Sequence, residues 1–232
     1  MEELIWLDQD IWFPRPECAM EEPNGLLAAG GDLSIPRLLF AYANGIFPWF
    51  ERGQPVLWWS PDPRCIIIPD ELHISRSMRK HLNKRQYKVR IDSQFEQVIS
   101  HCAAPRRYSS ETWITSSMMQ AYIKLHQEGH CHSFEVFHED RLVGGLYGIA
   151  IGPCFFGESM FSLATNASKV AFVHLVKQLE CWGFSLIDCQ LENEHLLTMG
   201  CKTIPRNLFL SILKNEVKKP PPENTWELTW EW

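Results

Sequence analysis

Three polar side chains stand in runs otherwise built for a core. FFGESMFS, residues 155–162, carries Glu158 between a glycine and a serine, in the company of Phe156, Met160 and Phe161. FSLIDCQ, residues 184–190, drives the carboxylate of Asp188 into apolar surroundings, with the amide of Gln190 two places on. Side chains alternate across a strand, so Asp188 and Gln190 are expected on one face and Ile187 and Cys189 on the other. A carboxylate beside an amide at the carboxyl end of a strand can hold a substrate's polar group, because ligands of open α/β sheets collect at that edge. Glu158 and Asp188, at the ends of apolar strands flanking one helix, could also meet across a cleft lined by Phe155, Met160 and Ile187, where desolvation would alter both acidities. Blander assignments compete. Asp188 could equally cap the turn before Asn193 with Gln190 in solvent, and Glu158 has as its commoner fate a carboxylate satisfied by the amides of a Gly/Ser turn.

Two other groupings have suitable donors in unsuitable places. His126, His130, Cys131 and His132, with His138 nearby, span a helix end and a strand start, so the ligands would diverge and no metal is expected. Cys189 is expected on the face opposite Asp188 with no histidine adjacent in sequence, which makes it a core residue and not a nucleophile.

The elements that must position these residues follow from punctuation and periodicity. Residues 1–63 are rich in Pro, Gly and Trp around one helix, IPRLLFAYANG, and are expected to form a small irregular lobe. From residue 64 to 232 the pattern regularises into an α+β (mixed α/β) domain: CIII as a strand, SRSMRKHLNKR as a helix, YKVRI as a strand, and two helices, QFEQVISHCA and TSSMMQAYIKLHQEG. SFEVF and RLVGGLYGIA, split by the polar HED, spell an antiparallel hairpin, with PCFFGE as a third strand. ASKVAFVHLVKQLECWG is a long helix ended by Gly183, and SLIDCQ follows as a strand, so a parallel crossover is expected beside the hairpin. Only the tail, KKPPPENTW, is linker-like.

The 232 residues are 45% hydrophobic and 22% charged, ordinary for a globular protein, and no apolar run approaches the ~18 residues of a membrane span. The start, MEELIWLDQD, is acidic where a secretory signal would be basic, so a cytoplasmic protein without membrane attachment is expected. Its eight cysteines lack CxxC pairs and are read as reduced, mostly buried thiols. The net charge of −6 conceals a local reversal: Arg76, Arg79, Lys80, Lys84, Arg85, Lys88 and Arg90 follow one another with no acid between them. In the helix there, Ile74, Met78 and Leu82 form one stripe and Arg76, Lys80 and Lys84 lie opposite, an arrangement suited to phosphate contacts.

At these residues the chain resembles the leucyl/phenylalanyl-tRNA protein transferases of bacteria. The matching segments are EPNGLLAAGGDLS, YANGIFPWF, LWWSPDPR, HISRSM, TWIT, LVGGLYGIA, FFGESMFS, NASK and LIDCQ, which run from Glu22 to Gln190. The resemblance implies a two-lobed protein whose larger lobe is acetyltransferase-like (GNAT-like). It implies transfer of Leu or Phe, less readily Met, from aminoacyl-tRNA to proteins with N-terminal Arg or Lys, which marks them for N-degron degradation. No cofactor or metal and a monomer are expected. Position by position, the resemblance puts Leu146, Phe155, Met160, Phe172 and Ile187 around the aminoacyl side chain with Glu158 on the polar side, and Trp49, Trp113 and Tyr122 where the terminal adenosine is contacted or the site is shaped. Asp188 would attract and orient the acceptor's ammonium and Gln190 would support the amine or the tetrahedral intermediate. Arg76, Arg79, Lys80, Lys84 and Arg85 would bind tRNA. The family position of Leu146 is often Met and that of Phe172 often Leu.

Two rivals differ in kind. A CoA-dependent acyltransferase of this fold would clamp pyrophosphate with glycine-spaced amides, and FSLATNASKV has no glycine. A non-catalytic tRNA-binding module would use the basic helix and leave Glu158, Asp188 and Gln190 without a purpose.

Overall fold

The computed structural model describes residues 4–104, 114–223 and 226–232. The N-terminal residues are more regular than expected. Strands β1 (Ile5–Leu7), β2 (Leu26–Gly30), β3 (Phe47–Pro48) and β4 (Leu57–Trp59) form a four-stranded sheet in the order β1-β2-β4-β3, beside helix α1 (Ile35–Ala43). These strands run two to five residues, too short for alternation to show in the sequence.

The second sheet contains β5 (Arg64–Ile67), β6 (Lys88–Ile91), β7 (Cys131–His138), β8 (Arg141–Ile151), β9 (Cys154–Ser162), β10 (Leu186–Gln190) and β11 (Lys202–Ile204), in the order β11-β5-β10-β9-β8-β7-β6. Its helices are α2 (Arg76–Leu82), α3 (Phe95–Ala103), α4 (Ser116–Gln127), α5 (Ala167–Trp182), α6 (Glu194–Leu197) and α7 (Arg206–Glu216). The hairpin β7–β8 and strand β9 are antiparallel neighbours, and β9 and β10 are parallel, joined by α5 as the crossover. FFGESMFS is therefore strand throughout.

Two apolar layers cover the sheet. On one face Phe156, Tyr147 and Leu186 pack with α3, α4, Phe209 of α7 and the first sheet's Leu27 and Trp58, so one core runs between the two sheets. On the other face Phe155, Ile187 and Leu146 pack against α5 and α2. Helix α5 is buried nearly all round, which needs cover on its outer side as well. The C-terminal tail supplies that cover, a correction to its linker-like reading at Trp226. The ring of Trp226 stacks on His132 at 3.4 Å, and Gln178 of α5 accepts the amides of Thr229 and Trp230, each at 2.8 Å, while donating to the Thr229 hydroxyl.

Candidate active site

The parallel pairing of β9 with β10 lasts only from Leu186 opposite Cys154 to Asp188 opposite Phe156. Beyond that point each strand carries a bulge. Against β8, Tyr147 faces Ser159 and Gly148 faces Gly157, leaving Glu158 as the extra residue; against β5, Asp188 faces Ile66 and Gln190 faces Cys65, leaving Cys189 as the extra residue. Bulges bend strands and re-aim side chains, and here they part the two strands at the carboxyl end of the parallel pair. Gly148 is required at the first of them, since a Cβ there would stand 2.2 Å from the Phe156 carbonyl oxygen.

A cavity of about 490 Å³ occupies the parting. Its apolar wall includes Leu146, Met160, Phe172, Leu175, Ile187 and Leu196, and its polar end holds Glu158 and Gln190. The buried Glu158 accepts hydrogen bonds from Tyr42 Oη (2.7 Å) and Gln190 Nε2 (2.8 Å) at Oε1 and from Tyr122 Oη (2.7 Å) at Oε2. Desolvation pushes its pKa up to about 7 against the lowering effect of these donors. Tyr147 Oη and His195 Nε2, both on residues of the wall, are buried without a hydrogen-bond partner among the described residues. Unpaired buried groups are uncommon, and in a cavity wall they suit a polar ligand.

Of the residues singled out from sequence, Leu146, Met160, Phe172, Ile187, Glu158 and Gln190 come together around this cavity. Phe155 is fully buried and outside the lining. Tyr122 is also fully buried and reaches the site by holding Glu158. Trp49 is 41% exposed, its carbonyl accepting the indole N–H of Trp59 at 2.6 Å, and it is not in the cavity wall. Trp113 lies outside the described residues.

The shared face expected for Asp188 and Gln190 is not found. Asp188 is fully buried and faces away from the cavity, forming a bidentate pair with Arg64 at 2.9 and 2.7 Å. Gln190 turns the other way because the bulge puts it at φ +62°, and Asp188 Oδ1 accepts its backbone N–H at 2.9 Å. Cys189, expected in the core, is partly exposed and lines the cavity. Sequence reasoning missed Arg64 and Tyr42 because their partners lie 124 and 116 residues away. The glycine beside Glu158 within a strand was the available signal for the bulge.

Helix α2 ends at Leu82, three residues short of the expected SRSMRKHLNKR; in and around it Ile74, Met78 and Leu82 are buried while Arg76, Arg79 and Lys80 on the helix and Lys84 and Arg85 beyond its end are exposed. The histidines take local partners: His132 meets Asp92 at 2.7 Å and His126 meets the Cys131 carbonyl at 2.8 Å.

An antiparallel meander, a crossover helix and a parallel pair opened at its carboxyl end make up an acetyltransferase-like (GNAT-like) domain, here with a pocket at the opening. Comparison with known proteins narrows this class. Residues 66–214 match the family model for leucyl/phenylalanyl-tRNA protein transferase, and residues 31–62 match that of its N-terminal domain. A leucyl/phenylalanyl-tRNA–protein transferase of Hahella chejuensis is 58% identical across 99% of this chain and 97% of its own length. Relatives of the same name from Pseudomonas syringae pv. syringae and Stutzerimonas stutzeri are 57% and 55% identical, each across 94% of this chain and 95% and 96% of their own lengths. The chain belongs to the leucyl/phenylalanyl-tRNA protein transferase family, aminoacyltransferases with an aminoacyl-tRNA as donor and a protein as acceptor.

Proposed function

We propose that the cavity between β9, β10 and α5 seats the leucyl or phenylalanyl side chain of the donor, and that Glu158 and Gln190 receive the acceptor's amine at its polar end. The observation that carries this reading is the carboxylate and amide, 2.8 Å apart, beside the apolar wall of Leu146, Met160, Phe172, Leu175, Ile187 and Leu196 in one cavity. An aminoacyl ester is already activated, so most of the acceleration comes from holding the amine against the carbonyl carbon. The free N-terminal amine, with an ordinary pKa of about 7.7–8.0, is largely protonated at neutral pH and must lose a proton. The ionised form of Glu158, whose pKa is about 7, can take it. The C–N bond then forms as the ester C–O bond breaks, and the ribose hydroxyl leaves with a proton.

Asp188 is a positioning residue in this account: fully paired with Arg64, it acts through the backbone of Gln190. Phe155 supports the apolar wall from within the core. The exposed ring of Trp49 is suited to stack on the terminal adenosine, Trp113 retains that role from the family resemblance, and Tyr122 shapes the site through Glu158. Arg76, Arg79, Lys80, Lys84 and Arg85 bind the tRNA backbone. The family resemblance supports N-terminal Arg or Lys on the acceptor, Met as a poorer donor, N-degron degradation of the product, and a cytoplasmic monomer needing neither cofactor nor metal. No helix among the described residues is long and apolar enough to cross a membrane. Incubation with radiolabelled leucyl-tRNA and an Arg-initiated acceptor should place label in the acceptor, and an acceptor that stays unlabelled would refute the reading.

A further inference from the structure

Three thiols with no part in the proposed reaction meet beside the cavity. Cys65 lies on β5 opposite Gln190 of β10 and Thr203 of β11, Cys189 is the bulged residue of β10, and Cys201 directly precedes β11. The Sγ atoms of Cys189 and Cys201 are 3.8 Å apart. Cys65 and Cys201 are buried, whereas Cys189 lines the cavity and can be reached from it. The segment between Cys189 and Cys201 contributes Gln190, Asn193, His195 and Leu196 to the cavity wall.

We propose that Cys189 is an oxidation site for small hydroperoxides entering through the cavity, and that Cys201 resolves it to a Cys189–Cys201 disulfide that deforms the site. In the first step the Cys189 sulfur attacks the peroxide, the O–O bond breaks, an alcohol or water leaves and a sulfenic acid remains. In the second the Cys201 sulfur displaces the sulfenic oxygen as water, so two thiols lose two electrons and two protons to one hydroperoxide. Thiolate is the reactive form. The thiolate of this cluster is favoured at Cys65, whose pKa the S–H groups of Cys189 and Cys201 pull down to about 4, while Cys201 and Cys65 push that of Cys189 well above its ordinary value; Cys189 is thus held as a thiol against the Cys65 sulfur, which takes its proton as the Cys189 sulfur attacks.

The present contact of 3.8 Å must shorten to about 2.05 Å in a disulfide. The movement falls on the residue preceding Gln190, whose amide holds Glu158, and ties together both ends of a segment that forms the cavity rim. A displacement near 1 Å at a reacting site can lower a rate about a hundredfold, so oxidised protein should transfer aminoacyl groups at least about tenfold more slowly. The effect on transfer rests on the acyl-pocket reading above. Disulfide formation itself does not.

The test is peroxide treatment of the whole protein, then non-reducing peptide mapping and the leucyl-tRNA transfer assay before and after dithiothreitol. Exposed Cys18 and Cys181 serve as internal controls of oxidant exposure. The expected result is a Cys189–Cys201 cross-linked peptide, together with a loss of transfer that dithiothreitol restores. Cys201→Ser should fold and transfer as the parent does before treatment, should trap Cys189 as a dimedone-reactive sulfenic acid, and should yield no cross-link. Cys201→Ala provides the same comparison if the serine variant folds poorly. Free Cys189 and Cys201 after Cys18 and Cys181 have reacted would overturn the proposal, as would a cross-linked protein that transfers at the parent rate.

Discussion

Glu158 is an acid placed where an acid is expensive. Its folded pKa of about 7 lies above the ordinary 4.5, so between those pH values the folded protein keeps a proton that the unfolded chain releases. The resulting stability is complete below about pH 4.5 and is lost as pH rises to about 7, a difference of about 3 kcal/mol. Glu158→Gln cannot ionise, so urea unfolding at pH 5 and pH 8 should show the parent losing about 3 kcal/mol relative to the variant. Parallel pH profiles would mean that Glu158 does not titrate in this range. The oddity of this residue was legible in FFGESMFS, where a carboxylate interrupts a core-forming run. Its partners were not, because Tyr42 and Tyr122 reach it from helices α1 and α4, far off in sequence.

At the scale of elements, most helices and the strands of the larger sheet other than β11 were legible because each carries its own period and stops: α5 ends at Gly183 with φ +81°, and α2 and α4 start at Ser75 and Thr115, whose hydroxyls accept from the third residue on. The faces of β9 and β10 were not. Strict alternation would separate Met160 from Phe155, yet both pack on the α5 side because the bulge at Glu158 shifts the phase between them. The bulge at Cys189 similarly sends Asp188 to Arg64 and Gln190 to Glu158. Arg64 also donates to the Gly45 carbonyl at 3.1 Å and lies over the rings of Phe47 and Phe209, so the pair joins β10 to the first sheet and to α7. Removing one partner leaves a buried charge uncompensated. Asp188→Ala should therefore cost about 3–5 kcal/mol in urea unfolding, and combining Asp188→Leu with Arg64→Met should recover much of it. A single variant as stable as the parent would show that the pair contributes nothing to this junction.

Over the whole molecule, a protein of net charge −6 presents one acid-free basic run, with Arg76 and Lys80 exposed on α2 and Lys84 exposed just past its end. A polyanion responds to that local field more than to the sum. Reversing Lys80 and Lys84 to Glu should weaken tRNA binding and lower the slope of log affinity against log salt by about one to two, since fewer counterions are released. An unchanged affinity and slope would take the patch out of the tRNA footprint. The composition changes near residue 63, between the last strand of the first sheet and the first strand of the second, but the core they share was hidden, because Trp58 and Leu27 join Tyr122 and Phe156 only once the chain has folded.

The central claim is that the cavity holds the donor's side chain, and Met160 tests it most directly because it lies in the apolar wall and is only partly buried. Enlarging it to Trp reduces the space left for the larger side chain more than for the smaller. Transfer rates measured for Met160→Trp with phenylalanyl-tRNA and leucyl-tRNA should fall about tenfold further for Phe than for Leu. Equal losses for the two donors would contradict the assignment.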